Sequence, residues 1–125
     1  MTAKPLISFS KIAEEDLNFL DIDEWPDWQA QFGNQQPLKL EIGFGTGNFL
    51  IEMAAQEPRS NFIGMDFYHK GIRKLMTRKK KLQLDNIRVA YGDVRNKIPL
   101  LFKDGELETV YINFPDPWPK KRHTK

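Results

Sequence analysis

The chain has 125 residues, of which 40% are hydrophobic and 12% aromatic, and it contains no cysteine and two histidines. This length limits it to one domain, and the composition is typical of a packed core. Disulfides and thiolate chemistry are excluded, and two histidines are too few for a convincing metal site. Because no apolar run approaches 18 residues and no charged-then-apolar leader is present, we predict no membrane span and expect a cytoplasmic protein.

The net charge of +2 is divided unevenly along the chain. Residues 1–66 hold 4 Lys/Arg against 11 Asp/Glu, whereas residues 67–125 hold 15 against 6. A basic half joined to an acidic half indicates a polyanionic partner that docks on one side. The alternative interpretation is a set of solvated faces whose charges happen to segregate.

Residues 1–37 are predicted to form an acidic extension that precedes the main domain. Ser10 is a candidate cap for a helix that reaches about Leu20. A second short helix is predicted to start at Pro26 or Asp27.

From Leu38 onward, apolar runs typical of strands alternate with apolar residues at helical spacing. This alternation predicts an α/β fold with a parallel sheet built from right-handed βαβ units. Ligands of such sheets bind beyond the carboxyl ends of the strands, so the loops that follow the strands are the informative ones. The predicted strands are 38–42, 61–66, 87–91 and 108–114, and the predicted helical stretches are 46–57, 69–84 and 94–102.

The first predicted strand leads into a glycine-rich loop, 41-EIGFGTGNF-49. Such a turn lets backbone N–H groups approach a ligand closely. The glycines at 43, 45 and 47 do not have the spacing of the dinucleotide fingerprint, and no Gly-Lys-Ser/Thr follows as in a phosphate-binding loop. A loop of this kind behind an acidic residue suits S-adenosylmethionine, which carries an ammonium, a sulfonium and a ribose diol. The predicted cofactor-binding glycines are Gly43, Gly45 and Gly47.

Three carboxylates lie at the ends of three successive predicted strands. Glu41 is placed to hold charge near the amino-acid end of the cofactor. Asp66 is placed to accept the ribose hydroxyls, and Asp93 to meet the adenine amino group. A single acid at a strand end is more often a helix cap or part of a solvated turn. Three of them behind one glycine loop favour a site for S-adenosylmethionine.

The second helix of the main domain carries seven cations and no acid within the twelve residues from Lys70 to Lys81. Intrahelical ion pairs therefore cannot neutralise it. An ordinary solvated helix face is the alternative, but we favour a contact with the phosphates of a nucleic acid. The residues predicted to face inward, opposite this charge, are Ile72, Leu75, Met76 and Leu82.

The fourth strand ends in 113-NFPDPW-118, and a basic cluster follows. Prolines stiffen this loop, and methyl transfer depends on holding donor and acceptor in line. Asp116 can act as a general base, or it can accept the two adjacent N–H donors of a guanine edge. Methylation of guanine N7 removes no proton, and a carboxylate would stabilise the cationic product ring. A packed proline-rich turn is the alternative. Phe114 or Trp118 is placed to stack on an unpaired base, and the residues placed to meet its flanking phosphates are Lys120, Lys121 and Arg122.

Together, LEIGFGTGNFL, GMDFYHKG, GDV and above all NFPDPWPKKRH resemble the bacterial tRNA (guanine-N7)-methyltransferases. The resemblance covers residues 38–125 and implies a class I, Rossmann-like fold, S-adenosylmethionine as cofactor and tRNA as substrate. It implies methylation of guanine 46 in the variable loop. By the same resemblance, Asp116 would lie at the catalytic centre, Lys120 would contact the substrate, and the basic residues from Lys121 onward would contact tRNA. The residues implied to contact the cofactor are Glu41, Asp66, Asp93 and Asp116.

The implied fold has a seven-stranded sheet, of which four strands are predicted here. We therefore expect residues 38–125 to be the N-terminal half of the methyltransferase domain, with an uncovered fourth strand and little activity by themselves. Two other functions stay open. One is a non-catalytic RNA-binding module that keeps part of the cofactor site. The other is a methyltransferase for another acceptor such as adenine N6, although Asp116 in place of a second proline argues against it.

Overall fold

A parallel sheet of five strands forms the centre of the structure. The structure, a computed structural model, describes residues 26–92, 98–99 and 101–112, and the backbone of 19–20. The strands are β1 (Phe19–Leu20), β2 (Leu38–Ile42), β3 (Asn61–Asp66), β4 (Ile87–Tyr91) and β5 (Thr109–Ile112). The helices are α1 (Trp28–Phe32), α2 (Asn48–Gln56) and α3 (His69–Leu82). The four strands and two longer helices predicted from the sequence are all present, which confirms the α/β fold class.

The strand order is β1-β4-β3-β2-β5, and every pair of neighbours is parallel. The chain moves outward from β2 through β3 to β4 and then returns to the other side of β2 to form β5. The order therefore reverses between β2 and β5. A crevice opens at such a reversal beyond the carboxyl ends of the strands, where open α/β sheets bind their ligands. The glycine-rich loop that follows β2 begins at this position.

Both faces of the sheet are covered by apolar side chains, as a parallel sheet requires. Helices α2 and α3 pack on one face, where Leu50 and Leu75 are completely buried. On the other face the indole ring of Trp28 stacks on Phe102 with a centroid distance of 5.3 Å. The Trp28 Nε1–H donates a hydrogen bond of 2.8 Å to the carbonyl oxygen of Leu101. Helix α1 is thereby attached to a segment that follows it by more than 70 residues.

The N-terminal segment differs from its prediction at residues 19–20. The helix predicted to reach Leu20 is wrong there, because Phe19 and Leu20 form β1 and pair with Val89 and Ala90 of β4. Pairing with the edge of β4 outweighs the helix propensity of these residues, because helix propensity is weak compared with tertiary contacts. The predicted second helix is confirmed as α1. Its cap is Asp27, whose side chain accepts a hydrogen bond from the backbone N–H of Ala30. The domain boundary at residue 37 stays a prediction.

Helix α3 buries Ile72, Leu75 and Met76 as predicted, but its last turn differs from the predicted arrangement. The prediction that Leu82 faces inward is wrong, because its side chain is 52% exposed and the helix ends at that residue, beyond the core. Lys79 is buried instead, and its ammonium donates a hydrogen bond of 2.6 Å to the carbonyl oxygen of Leu84. One of the seven cations of this helix therefore stabilises the helix end and is not on its surface.

Strand β5 is the outermost strand on its side of the described sheet. Its side chains Val110 and Ile112 are 45% and 49% exposed. This agrees with the prediction that the fourth strand of the main domain has an uncovered apolar side. Residues 113 and 114, the predicted end of this strand, lie outside the described residues.

The hydrogen bond between Trp28 and Leu101 gives a direct test of how α1 is held. Trp28→Phe keeps most of the ring packing but leaves the carbonyl of Leu101 without its donor, so we expect a loss of about 1–2 kcal/mol in the free energy of unfolding. Urea denaturation followed by circular dichroism measures it. Gln29→Ala, at an exposed position of the same helix, is the control and should stay within about 0.5 kcal/mol of the wild type. Equal denaturation midpoints for Trp28→Phe and the wild type would show that the bond contributes nothing.

Candidate active site

The loop between β2 and α2 has a backbone that only glycine adopts without strain. Gly43, Gly45 and Gly47 have φ angles of 73°, 64° and 88°, all in the left-handed region. The backbone N–H of Gly47 donates to the carbonyl oxygen of Phe44 at 2.9 Å, which closes a tight turn before α2 begins. The three glycines predicted to bind the cofactor are thus needed to form the loop itself. Their contact with a cofactor stays a prediction.

Two of these glycines differ in what surrounds them. A Cβ atom at Gly47 would lie 2.6 Å from Cδ1 of Leu75, so this residue allows α3 to pack against the loop. A Cβ atom at Gly45 would have no heavy atom of the described residues within 4 Å, apart from its own chain neighbours. The loop is therefore packed against the protein on one side and open at Gly45, where a ligand can approach the backbone.

Asp66 fixes this loop from the end of β3. One carboxylate oxygen, Oδ2, accepts a hydrogen bond of 2.9 Å from the backbone N–H of Gly45. The other, Oδ1, accepts from the backbone N–H groups of Phe67 and Tyr68 at 2.8 and 3.2 Å. The structure places Asp66 beside the glycine loop, as its position at a strand end predicted. A carboxylate has about four acceptor positions, and three are used here, so Oδ2 retains acceptor capacity toward solvent and ligands.

Glu41 is the most unusual ionisable group of the described residues. Its side chain is 1% exposed, and in the sheet it lies between Gly64 of β3 and Tyr111 of β5. Its Oε1 atom has no hydrogen-bond partner among the described residues. Burial, and to a smaller extent the negative charge of Asp66, raise the pKa of Glu41 to about 7. A buried carboxylate without a donor is unfavourable, and a cation or a donor placed beside it would relieve this cost.

The residues around the loop fit S-adenosylmethionine. The buried carboxylate of Glu41, whose Oε1 has no partner among the described residues, is suited to the ammonium of the amino-acid end, reached directly or through a water. The open backbone at Gly45 allows the cofactor to approach closely, and Asp66 accepts a hydrogen bond from the N–H of Gly45. The two acids and the glycine loop, predicted from separate strand ends, are thus brought together by the strand order.

Gly71 belongs to this site and was not predicted from the sequence. It lies in the first turn of α3, and a Cβ atom there would be 1.9 Å from the carbonyl oxygen of Gly45 and 2.8 Å from Cδ2 of Tyr68. The helix approaches the glycine loop so closely that no side chain fits between them. A glycine inside a strongly helical pattern is the sequence signal, because glycine costs about 1 kcal/mol relative to alanine in a helix interior.

Aromatic side chains with exposed surface surround the same edge of the sheet. Phe67 and Tyr68, which follow β3, are 62% and 49% exposed. Phe49, in the first turn of α2, is 40% exposed, and its ring meets Tyr111 edge-on at a centroid distance of 5.1 Å. These rings offer apolar surface to a planar ligand.

The remaining predicted site residues lie outside the part of the chain that the structure describes. Within the described part, no group of three or more His, Asp or Glu side chains is arranged to hold a metal ion. No helix among the described residues is both long and apolar enough to cross a membrane. The predicted site residues outside the described ranges are Asp93, Asp116, Trp118, Lys120, Lys121 and Arg122.

The raised pKa of Glu41 predicts a specific pH dependence of stability. The folded state favours the protonated form, so this contribution is full below about pH 4.5 and is lost as the pH rises to about 7. Glu41→Gln, which is neutral at every pH, should match the wild type near pH 4.5 and exceed it at pH 8 by up to roughly 3 kcal/mol. Urea denaturation across this range measures the difference, with Glu52→Gln on the exposed side of α2 as the control. A pH-independent difference would contradict the assignment.

The contact between Gly71 and Gly45 predicts that a single methyl group disturbs the loop. Gly71→Ala must displace either the carbonyl of Gly45 or the start of α3, so we expect the affinity for S-adenosylmethionine to fall by about 10-fold or more. Isothermal titration calorimetry measures the affinity, and circular dichroism reports whether the helices persist. Lys70→Ala, at the exposed neighbouring position, should bind the cofactor as the wild type does. Unchanged affinity in Gly71→Ala would show that the close approach is not required.

The chain is similar in sequence to proteins named tRNA (guanine-N(7)-)-methyltransferase. It is 46% identical over 110 residues to the protein from Geobacter metallireducens, an alignment that covers 86% of this chain and 52% of the relative. It is 43% identical to the protein from Syntrophotalea carbinolica, with 79% of this chain and 43% of the relative covered. For the protein from Thermotoga maritima the identity is 39%, with 90% and 36% covered. The chain thus spans about half or less of the length of these relatives.

Solved methyltransferases share the fold at low sequence identity. A 30S ribosomal A1408 methyltransferase from an uncultured bacterium superimposes with a TM-score of 0.58 at 18% identity, over 71% of this chain and 43% of that one. The antibiotic-resistance methyltransferase Kmr gives 0.57 at 22% identity, over 71% and 47%. The fold is accordingly the Rossmann-like fold of class I S-adenosylmethionine-dependent methyltransferases, as predicted.

A family profile described as "Putative methyltransferase" matches residues 35–125, which is more than half of the chain and includes the glycine loop and β2 to β5. The chain therefore belongs to this methyltransferase family.

Proposed function

We propose that this protein transfers a methyl group from S-adenosylmethionine to N7 of a guanine in tRNA, at position 46 in the variable loop. The observation that carries the proposal is the identity of 39–46% to relatives named tRNA (guanine-N(7)-)-methyltransferase, which extends over 79–90% of the chain. The site at the carboxyl edge of the sheet supports it, because its residues suit the cofactor of such an enzyme. We also propose a cytoplasmic location, which is consistent with a tRNA substrate.

The reaction requires that S-adenosylmethionine is bound and oriented. When bound, S-adenosylmethionine supplies the electrophilic methyl group. Glu41 would hold its ammonium, since this side chain is buried and its Oε1 has no partner among the described residues. Asp66 would accept the ribose hydroxyls, Asp93 would accept the adenine amino group, and Phe67 offers an exposed ring to the adenine face. These contacts fix the cofactor at the point where the strand order reverses.

Methyl transfer to the acceptor atom, guanine N7, needs no general base. Guanine N7 carries a lone pair and no proton, so the attacking atom is ready without activation. The purine ring becomes cationic as the bond forms, and Asp116 would stabilise that charge. The same carboxylate can accept hydrogen bonds from guanine N1–H and N2–H₂, which distinguishes guanine from adenine. Asp116 is thus proposed both to select the base and to lower the barrier.

The segment around Asp116 would position the base. Its prolines restrict the backbone, and a stiff loop holds the acceptor in line with the methyl group. Trp118 would stack on a base that is presented unpaired. Lys120 would contact the substrate, and Lys121 and Arg122 would contact the flanking phosphates of tRNA.

The proposal is tested by methyl transfer from tritiated S-adenosylmethionine to an unmodified tRNA transcript, using the protein expressed from the complete reading frame. The labelled product nucleoside should be 7-methylguanosine. Asp116→Ala should lower kcat by about 10²-fold or more, because a preorganised charge is removed from the reacting ring. Asp104→Ala, which removes a carboxylate from an exposed turn, is the matched control and should keep wild-type activity.

Other outcomes of this experiment each have a clear meaning. Wild-type activity in Asp116→Ala would contradict the role given to this carboxylate. Labelled N6-methyladenosine would indicate a different acceptor. Binding of tRNA without any methyl transfer would indicate a non-catalytic RNA-binding module.

A further inference from the structure

We propose that the outward face of α3 is a second docking surface for tRNA, which binds its phosphate backbone beside the cofactor site. This inference rests on the proposed function, because tRNA is the polyanion that the reaction brings to the protein. The surface, called the α3 cation face below, consists of Lys70, Lys74, Lys80 and Lys81.

Three of the seven cations of α3, namely Arg73, Arg78 and Lys79, are not part of this face, and all three make contacts within the protein. Lys79 is 6% exposed, and its ammonium is bonded to the carbonyl oxygen of Leu84. The guanidinium of Arg78 donates a hydrogen bond of 2.6 Å to the side-chain oxygen of Asn48 at the start of α2. Lys79 and Arg78 are therefore occupied in holding the fold together.

The stripe formed by Lys70, Lys74 and Lys81 lies opposite the buried side of the helix. At 3.6 residues per turn, Lys70, Lys74 and Lys81 fall within about 40° of one another around the helix axis. The buried residues Ile72 and Met76 lie on the other side. The helix has 14 residues, so the face is about 20 Å long.

The four lysines of the face are not neutralised by ion pairs within the described structure. The ion pairs of Lys39 with Glu57 and with Glu108 do not involve α3. Lys70, Lys74, Lys80 and Lys81 make no ion pair in the described part of the chain. Because α3 contains no acidic residue, its cations repel one another along the helix. A polyanion relieves this repulsion and releases counterions as it binds.

The helix dipole explains only part of this arrangement. Cations in the last turn are favourable, because the C-terminal end of a helix is negative, and this accounts for Lys80 and Lys81. Lys70 is at the second position of the helix, where the dipole makes a cation unfavourable, and no acidic residue is present in that first turn. Lys74 is in the middle and gains nothing from the dipole. An external anion accounts for both of these lysines.

The position of α3 connects the face to the reaction. The helix starts three residues after Asp66, at the carboxyl edge of the sheet, and runs away from it. Its first turn contains both Lys70 on the outward side and Gly71, which meets the carbonyl of Gly45 in the glycine loop. A nucleic-acid strand bound along α3 therefore reaches the edge where the cofactor is proposed to bind. The face positions tRNA and takes no part in the chemistry.

The experiment compares two double variants, each of which removes two positive charges. Lys74→Gln/Lys81→Gln removes charge from the α3 cation face. The control, Arg59→Gln/Lys103→Gln, changes exposed cations in the turn before β3 and in the segment that follows Phe102 on the other side of the sheet. Both are made in the protein expressed from the complete reading frame. The dissociation constant for an unmodified tRNA transcript is measured between 50 and about 200 mM salt, and kcat and KM are measured on the same transcript.

We expect the α3 double variant to bind tRNA roughly 10-fold more weakly at the lowest salt, with a slope of log affinity against log salt reduced by about 1.5 to 2. Its KM for tRNA should rise while kcat and the affinity for S-adenosylmethionine stay at wild-type values. The control variant should stay within about 2-fold of the wild type in affinity and keep its salt slope.

The inference is overturned if the α3 variant has the same affinity and salt slope as the control variant while the wild type methylates tRNA. That result would assign α3 to a solvated surface or to a protein partner and would leave the proposed function intact. If the wild type binds tRNA but transfers no methyl group, the proposed function fails, and the affinity of the α3 variant still decides the inference.

Discussion

The close approach of α3 to the glycine loop is the constraint on which the rest of the site depends. The carbonyl of Gly45 faces Gly71 with no room for a side chain, and the N–H of the same residue is bonded to Asp66. The backbone at Gly45 is therefore held on one side by its contact with α3 and on the other by a hydrogen bond to the end of β3. This arrangement fixes the direction in which the loop opens. Glycine is needed at position 71 because of the close contact, and at position 45 because its φ angle is 64°.

Glu41 lowers the stability of the fold at the site where we propose that the cofactor binds. A buried carboxylate without a donor among the described residues lowers stability near neutral pH, and a glutamine of the same shape would relieve it. Glutamine, however, has no charge with which to attract an ammonium. The retention of an ionisable group at this position is the expected result when binding a cationic ligand matters more than stability in its absence.

The strands and the inner face of α3 were predictable because their signals are local. Apolar periodicity identifies residues such as Ile72 and Leu75 whatever the rest of the chain does. The strand-end position of Glu41 and Asp66 follows from the same pattern, and strand order then brings them together. The features that were missed depend on distant parts of the chain. β1 forms through its pairing with β4, and Gly71 is needed only because the glycine loop lies against it.

The end of α3 shows a different limit of sequence patterns. Leu82 fits the inward stripe of the helix but lies beyond the core, whereas Lys79 fits the charged run but is buried. The periodicity of apolar residues predicts which side of a helix a side chain lies on. It does not predict how far along the helix the neighbouring elements cover it. Burial of Lys79 depends on the chain turning back, so that the carbonyl of Leu84 comes within reach of its ammonium.

The attachment of the N-terminal segment has a consequence for the order of folding. β2 pairs with β3 between Leu38 and Asn61, a short separation, whereas Phe19 pairs with Val89 and Trp28 bonds to Leu101, 73 residues away. On a ribosome, β1 and α1 emerge first yet must wait for β4 and for the segment at Leu101 before they can be held. These two elements are therefore held only after the chain through Leu101 has been made, and a two-residue strand at the end of a sheet is among the first to open again.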